Sequence, residues 1–312
     1  MKWTNYRFDV AAADAGLRLD QYLASVCSEL SRTSAKKVID LGGVHLDGRR
    51  IRGCSRLVRV GEKVEVYLDG QSLEPYRIQA KDVIYQDQYL IVLNKPAAID
   101  TQPTHARFKG TVYEALQHHL QDPFRLHVKP ELGMVQRLDR GTSGLMVFSI
   151  HQRAHKKLTQ IFVDHQVKKH YLALVQGLPE ENEAEIRSFL ERSRQQNRVC
   201  SVTQGGKEAI TRYKIVERFA SCALLDVELL TGRSHQIRVH MSEQGWPLLG
   251  DTLYGGPEKH GQTELMRPLL HAAKLAFHHP VTDKFLEFSV DLPNDFTQLL
   301  RLLRADQARI LE

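Results

Sequence analysis

VQRLDRGTSGLMVFS, residues 135–149, sets one carboxylate, Asp139, between two guanidinium groups, Arg137 and Arg140. An acid so flanked stays ionised and is able to act as a nucleophile. Gly141, Thr142, Ser143 and Gly144 follow it, four small residues that a tight backbone path requires, and then comes the apolar run Leu145 to Phe148. The acid is therefore expected on a loop abutting a buried strand. Taken alone, an Arg-Leu-Asp triplet is more often a salt-bridged surface acid than a catalytic one.

The surrounding chain has 312 residues and 42% hydrophobic content, enough for one large domain and a small one, each with its own core. The start, MKWTNYRFDV, lacks the unbroken apolar centre of a signal peptide. The most apolar stretch, Tyr89 to Ile99, is interrupted by Asn94, Lys95 and Pro96 well short of a membrane span. These features point to a cytoplasmic protein with no membrane partner. Cys27, Cys54, Cys200 and Cys222 lie far apart without a C-x-x-C pair, so reduced thiols are expected rather than a zinc knuckle or a disulfide framework.

Charge is concentrated. Between Ser31 and Val60 lie eight basic residues (Arg32, Lys36, Lys37, Arg49, Arg50, Arg52, Arg56 and Arg59) against Asp40 and Asp47, and without this segment the chain has 35 basic and 35 acidic residues. The whole excess of +6 thus sits in thirty residues near the N-terminus. A small polyanion-binding module on an electrically balanced body is one reading, and a solvated basic face without a ligand is the other.

Within and before that segment, Leu19, Tyr22, Leu23, Val26, Cys27 and Leu30 recur at helical spacing, and Ser31 or Thr33 is placed to cap a second helix ending at Leu41, before Gly42 and Gly43. Val44 and Leu46 alternate up to the hairpin signal Asp47-Gly48, and strands are expected at Leu57–Val60 and Val64–Leu68. This order, RLDQYLASVCSELSRTSAKKVIDLGGVHLDGRRI with GEKVEV behind it, resembles the RNA-binding module named after ribosomal protein S4. The module is expected over residues 16–77, with Arg32, Lys36, Lys37, Arg49, Arg50 and Arg52 toward RNA.

The polar stretch Asp69 to Lys81 reads as a linker, and a larger domain is expected over residues 80–312. Strands are expected at Val83–Tyr85, Leu90–Leu93, Lys169–Val175, Thr211–Val216, Ala223–Leu230 and Phe285–Val290, with helices at Thr111–Leu120 and His151–His165. This is an α+β arrangement around a mixed sheet, not a regular βαβ alternation.

A second dense cluster, LLTGRSHQIRVHMSEQGWPLLGDTLYGG, places Arg233, His235, Gln236, Arg238 and His240 within eight residues. Alternation predicts a strand with Arg238 and His240 on one side. A metal site of His235, His240 and Asp251 fits poorly, because two histidines five apart share neither a helical face nor a strand face. A buried polar network, a phosphate-gripping basic loop, and an arginine that pairs with Asp139 stay open as readings.

The elements LIVLNKPAAI, VQRLDRGTSGLMVFS, KKHYLALVQG, TGRSHQIRVHMSEQGWPLLGDTLYGG, LLHAAKLAFHHP and DLP, in this order from about Val83 to about Pro293, closely resemble the RluA-type family of pseudouridine synthases. The resemblance implies that family's fold, a mixed and mainly antiparallel sheet flanked by helices, and isomerisation of uridine to pseudouridine in RNA without metal or redox cofactor. Ribosomal large-subunit RNA is the substrate expected from the attached S4-like module, with transfer RNA as the alternative and a monomer as the expected state. By motif position Asp139 corresponds to the catalytic aspartate, nucleophile or base toward base or sugar. Tyr171 corresponds to the ring that stacks on the target base and whose hydroxyl assists proton transfer, and Arg238 to the arginine that pairs with the acid. Arg137 corresponds to the residue that fills the RNA stack when the nucleotide flips out; otherwise it is a second partner of Asp139. Lys95 reads as scaffold, as a phosphate contact, or as a solvated lysine. Gln136 stands where the family usually has histidine, and Ala98 where it has glycine. An RNA-binding assembly factor without turnover is the rival reading, against which the retention of Asp139, Tyr171 and Arg238 speaks.

Overall fold

The structure, a computed structural model, describes residues 4–125, 127–193 and 198–311. It divides into two compact units, Met1–Ile78 with Ile99–Pro130, and Gln79–Ala98 with Glu131–Glu312. The sequence reading assigned residues 99–130 to the larger domain, and the structure groups them with the first unit instead.

The first unit contains β1 (Thr4–Asp9), α1 (Leu19–Val26), α2 (Arg32–Leu41), β2 (Val44–Leu46), β3 (Arg49–Ile51) and β4 (Lys63–Leu68). Its sheet is antiparallel in the order β1-β4-β2-β3. Ser31 caps α2 by accepting from the Ser34 amide at 3.2 Å, and Gly42 ends the helix at φ +91°, a conformation that disfavours any residue with a Cβ. Asp47 and Gly48, both at positive φ, turn β2 into β3. Leu19, Tyr22, Leu23, Val38, Ile39, Val44, Val64 and Val66 close the core.

Two local expectations differ. Leu57–Val60 is no strand: Leu57 and Val60 are exposed, and Val58 exchanges backbone bonds with the loop at Gly16 and Leu17. β1, unforeseen, runs the length of β4 with alternating burial.

Within the same unit α3 (Val112–His119) is capped by Thr111, which accepts from the Glu114 amide. The buried pair Arg107–Asp69 (2.9 and 3.1 Å) ties residues 99–130 to the stretch read as a linker, whose first residue is thus pinned in place. A Cβ on Gly43 would lie 2.8 Å from the Ala106 carbonyl oxygen, so that approach is open only to glycine.

The second unit contains β5 (Val83–Gln86), β6 (Leu90–Lys95), β7 (Gly133–Met134), β8 (Ser143–Ser149), α4 (Gln152–Val163), β9 (Lys168–Gln176), β10 (Glu183–Ser193), β11 (Arg198–Val202), β12 (Lys207–Arg218), β13 (Cys222–Leu229), α5 (Gln236–Glu243), β14 (Lys259–His260), β15 (Thr263–Glu264), β16 (Leu270–His278), β17 (Phe285–Ser289) and α6 (Asn294–Leu311). An 11-stranded sheet runs β11-β10-β12-β13-β9-β16-β8-β6-β5, with β17 on β16 and β7 on β8. All its pairings are antiparallel except β16 with β8. The α+β class and the mainly antiparallel sheet are as expected.

At the parallel junction Gly144 sits at φ +113° against β16. A Cβ there would lie 2.3 Å from the Ala272 carbonyl oxygen, so the glycine after Asp139 is what lets the two strands meet. Every residue of β8 is buried, and α4 covers it with Ala154, Leu158 and Ile161. No helix among the described residues is long and apolar enough to cross a membrane.

Candidate active site

Asp139 lies on the irregular segment between β7 and β8, as the small residues after it require. The partner that the sequence sets two residues before it is not the one it uses. Arg137 is exposed and forms no ion pair with it, so the reading of Arg137 as a second charge partner is set aside. The guanidinium that reaches Asp139 comes from Arg238, 99 residues away, whose Nη1 donates to Oδ2 at 3.0 Å.

Arg238 is 8% exposed and holds a second acid at the same time. Its Nε and Nη2 donate to the two carboxylate oxygens of Asp251 at 2.6 and 2.7 Å, a bidentate fork. Burial alone would lower the Arg238 pKa, but hydrogen bonds and charge from Asp251, then charge and the hydrogen bond of Asp139, push it further up. The cation is permanent, and it aims its third side at Asp139. Its carbon also lies 4.9 Å from the ring centre of Tyr254.

The segment carrying Arg238 is a correction. Residues 236–243 form helix α5, not the strand on which alternation put Arg238 and His240 on one side. The helix is buried from Gln236 through Met241, so its polar positions are inside too and the alternation carries no information about faces. Gln236 anchors the first turn. It accepts from Thr231 Oγ1 at 2.8 Å and from the Arg233 amide at 2.9 Å, and donates to Ile210 O at 3.0 Å and Thr211 Oγ1 at 2.9 Å. The metal reading of the cluster fails on geometry: the ring nitrogens of His240 meet Thr211 Oγ1 and Ser188 Oγ at 2.8 and 2.9 Å, and Asp251 is taken by Arg238.

His235, just before the helix, adopts a left-handed backbone at φ +55°. This turns its ring so that Nδ1 meets Tyr254 Oη at 2.8 Å while Nε2 stands 3.8 Å from Asp139 Oδ2. The Val199 amide donates to the same Tyr254 oxygen at 3.0 Å, which leaves the phenol proton for His235 Nδ1 and places the imidazole proton on Nε2, toward Asp139. Burial lowers the His235 pKa against the pull of Asp139, so the ring is a neutral donor.

Tyr171 lies on β9, 7% exposed. Burial first, and the charge of Asp139 second, push its hydroxyl far above the usual phenol range. It therefore stays protonated and is a ring and a hydrogen-bond donor rather than a base.

Lys95 is neither solvated nor a phosphate contact. It is 1% exposed, and its Nζ donates to the carbonyls of Pro96 at 3.0 Å and Arg140 at 3.3 Å, holding the residue after Asp139 in place. Ser143 Oγ joins His271 Nδ1 at 2.9 Å and fastens the other end of the same loop to β16. The amide nitrogen of Gln136 is buried without a hydrogen-bond partner among the described residues, and Ala98 sits at φ +67° where glycine would be unstrained.

The basic residues of the first unit divide. Arg32 and Lys36 converge on the buried Asp20 at 3.1 and 3.9 Å, and Lys37 pairs with Glu74. Arg49 is exposed, and Arg52 is exposed with its carbon 4.7 Å from the ring centre of Phe108. Arg50, expected to face RNA, turns inward to the Thr104 and His105 carbonyls because burial makes those bonds its nearest compensation.

Sequence reasoning placed Asp139, Tyr171 and Arg238 in one site, and the structure brings them together. It missed Asp251 as the second load on Arg238, and His235 and Tyr254 as a relay, because side chains 13 to 19 residues apart across turns leave no periodic signal.

Residues 89–243 match the family model described as RNA pseudouridylate synthase. A ribosomal large subunit pseudouridine synthase D of Pasteurella multocida is 34% identical over 96% of this chain and 94% of its own length. This chain belongs to the RluA-type family of RNA pseudouridine synthases. An uncharacterized RNA pseudouridine synthase of Bacillus subtilis, YlyB, is 33% identical over 92% of this chain and 94% of its own. The fold is also that of human RNA pseudouridylate synthase domain containing 4, with a TM-score of 0.58 at 24% identity over 71% of this chain and 92% of that one. The chain is thus an isomerase that acts on RNA.

Proposed function

We propose that this pseudouridine synthase isomerises uridine in large-subunit ribosomal RNA, with Asp139 as nucleophile or base, Arg238 as the partner that holds it, and Tyr171 as the ring against which the flipped base lies. The observation that carries this reading is the bridge from Asp139 through Arg238 to Asp251, a charged carboxylate oriented by a buried cation beside a protonated tyrosine. The reaction breaks the bond from ribose C1′ to N1 and forms one from C1′ to C5; a proton leaves C5 and one is taken up at N1. Nothing is oxidised or reduced. A single oriented carboxylate, able to act on base or sugar, is the group such an exchange needs.

The target uridine has to leave its helix to reach Asp139, and unstacking costs a few kcal/mol. Arg137, exposed and two residues from Asp139, is the planar cation suited to fill the gap. Residues 16–77 supply an S4-like RNA-binding module, in which Arg49, Arg52, Arg32, Lys36 and Lys37 offer positive charge to phosphates. The assignment to large-subunit RNA draws on the relatives named for that activity.

The test is pseudouridine mapping of ribosomal and transfer RNA from cells with and without this protein. Loss of signal at defined uridines of large-subunit RNA supports the proposal. Loss confined to transfer RNA would move the substrate.

A further inference from the structure

Outside the Asp139 site, two cations stand side by side without an acid. Lys169 is on β9, two residues before Tyr171 and so on the same strand face, and its half-buried Nζ meets no better acceptor than the Thr231 carbonyl at 3.5 Å. Arg233 is on the loop that leads into α5, where its Nε donates to the Glu208 carbonyl at 2.8 Å. Neither forms an ion pair among the described residues. Gly232, next to Arg233 on that loop, shows how near the loop runs to the lysine, since a Cβ there would lie 3.6 Å from Lys169 Nζ, an ordinary contact distance.

Two like charges held together under partial cover are unfavourable unless an anion joins them. The effect is visible at Lys169, whose pKa is pushed down to about 8, first by burial and then by the charge of Arg233. The carbonyls around them orient the two cations without neutralising either. The location narrows the anion. The pair lies two residues along β9 from Tyr171 and on the loop that carries His235 toward Asp139, so the polyanion at hand is the RNA that the proposed function brings to this site.

We propose that Lys169 and Arg233 form a seat for a backbone phosphate of the RNA next to the target nucleotide. The seat grips the strand beside the flipped uridine, while Arg238, fully engaged with two carboxylates, is left to the chemistry. It rests on RNA being the substrate, and it holds whichever uridine is modified.

The probe is an unmodified transcript of large-subunit ribosomal RNA, titrated with wild type, Lys169→Met, Arg233→Met and Lys169→Arg across a range of salt. Each methionine variant is expected to bind roughly tenfold more weakly at low salt and to lower the slope of log affinity against log salt by about one, while Lys169→Arg keeps the wild-type slope. Because slope is read from binding, it is independent of turnover and of the role given to Asp139. Thermal unfolding identifies a variant that fails to fold, and Arg233→Met then reports on the seat from its other side. An unchanged slope in both methionine variants, weaker binding at the wild-type slope, or no salt-dependent binding by the wild type overturns the proposal.

Discussion

Arg238 carries two carboxylates on one guanidinium, and the division of labour between them follows from burial. Asp251 is 1% exposed and takes the two-pronged contact, which fixes the plane of the cation; Asp139 is more open and takes the single remaining donor. Removing Asp251 leaves a buried cation half compensated. Asp251→Ala is therefore expected to cost about 3–5 kcal/mol of stability, read by denaturant unfolding, and to lower activity through loss of Arg238 orientation. At Ala98 the departure from the family's glycine has a physical consequence. A left-handed backbone costs an L-residue about 1–2 kcal/mol, so Ala98→Gly is expected to stabilise the protein by about 1 kcal/mol in the same measurement. Asp139, Tyr171 and Arg238 were legible because each lies in a motif of fixed order. Asp251 and His235 were not, since their roles depend on how turns fold back and on one left-handed residue.

The elements show where pattern reading succeeds and where it fails. β8 and α4 were legible because one is a continuous apolar run and the other an amphipathic helix. α5 was read as a strand because it is buried all round, and a helix without a solvent face has no period to display. Its burial has a second effect. His240 on α5 and His271 on β16 are enclosed, and burial lowers each pKa from 6.5 to about 4. Between these values the unfolded chain binds more protons than the folded one, so stability rises with pH across this window. The contribution is complete above about 6.5 and is lost as pH falls toward 4. Carboxylates held low by arginines, such as Asp20 and Asp295, lose theirs only below that range. His170, raised by its bond to Asp226, works in the opposite direction but is about a third exposed and weakened by solvent. Urea unfolding between pH 4 and 7 is expected to show this rise, and a stability independent of pH in that window would contradict it.

For the whole molecule, chain order and compact unit do not coincide. Residues 99–130 interrupt the sequence of the second unit and fold with the first, through the Arg107–Asp69 pair and the close approach at Gly43. No local pattern marks that excursion, because helix α3 has an ordinary cap and face; its membership is decided by buried partners distant in sequence. Charge was legible as a segment but not residue by residue, as Arg50 shows by turning inward. Within the second unit, the segment before β8, strand β9 and helix α5 deliver Asp139, Tyr171 and Arg238. The most direct measurement uses a pseudouridine-free transcript of large-subunit ribosomal RNA, incubated with wild type and with Asp139→Asn and then mapped for pseudouridine. Wild type is expected to modify defined uridines, and Asp139→Asn to bind the RNA yet form no pseudouridine. Pseudouridine formation by Asp139→Asn at the wild-type rate would contradict the assignment of Asp139 as the group that does the chemistry.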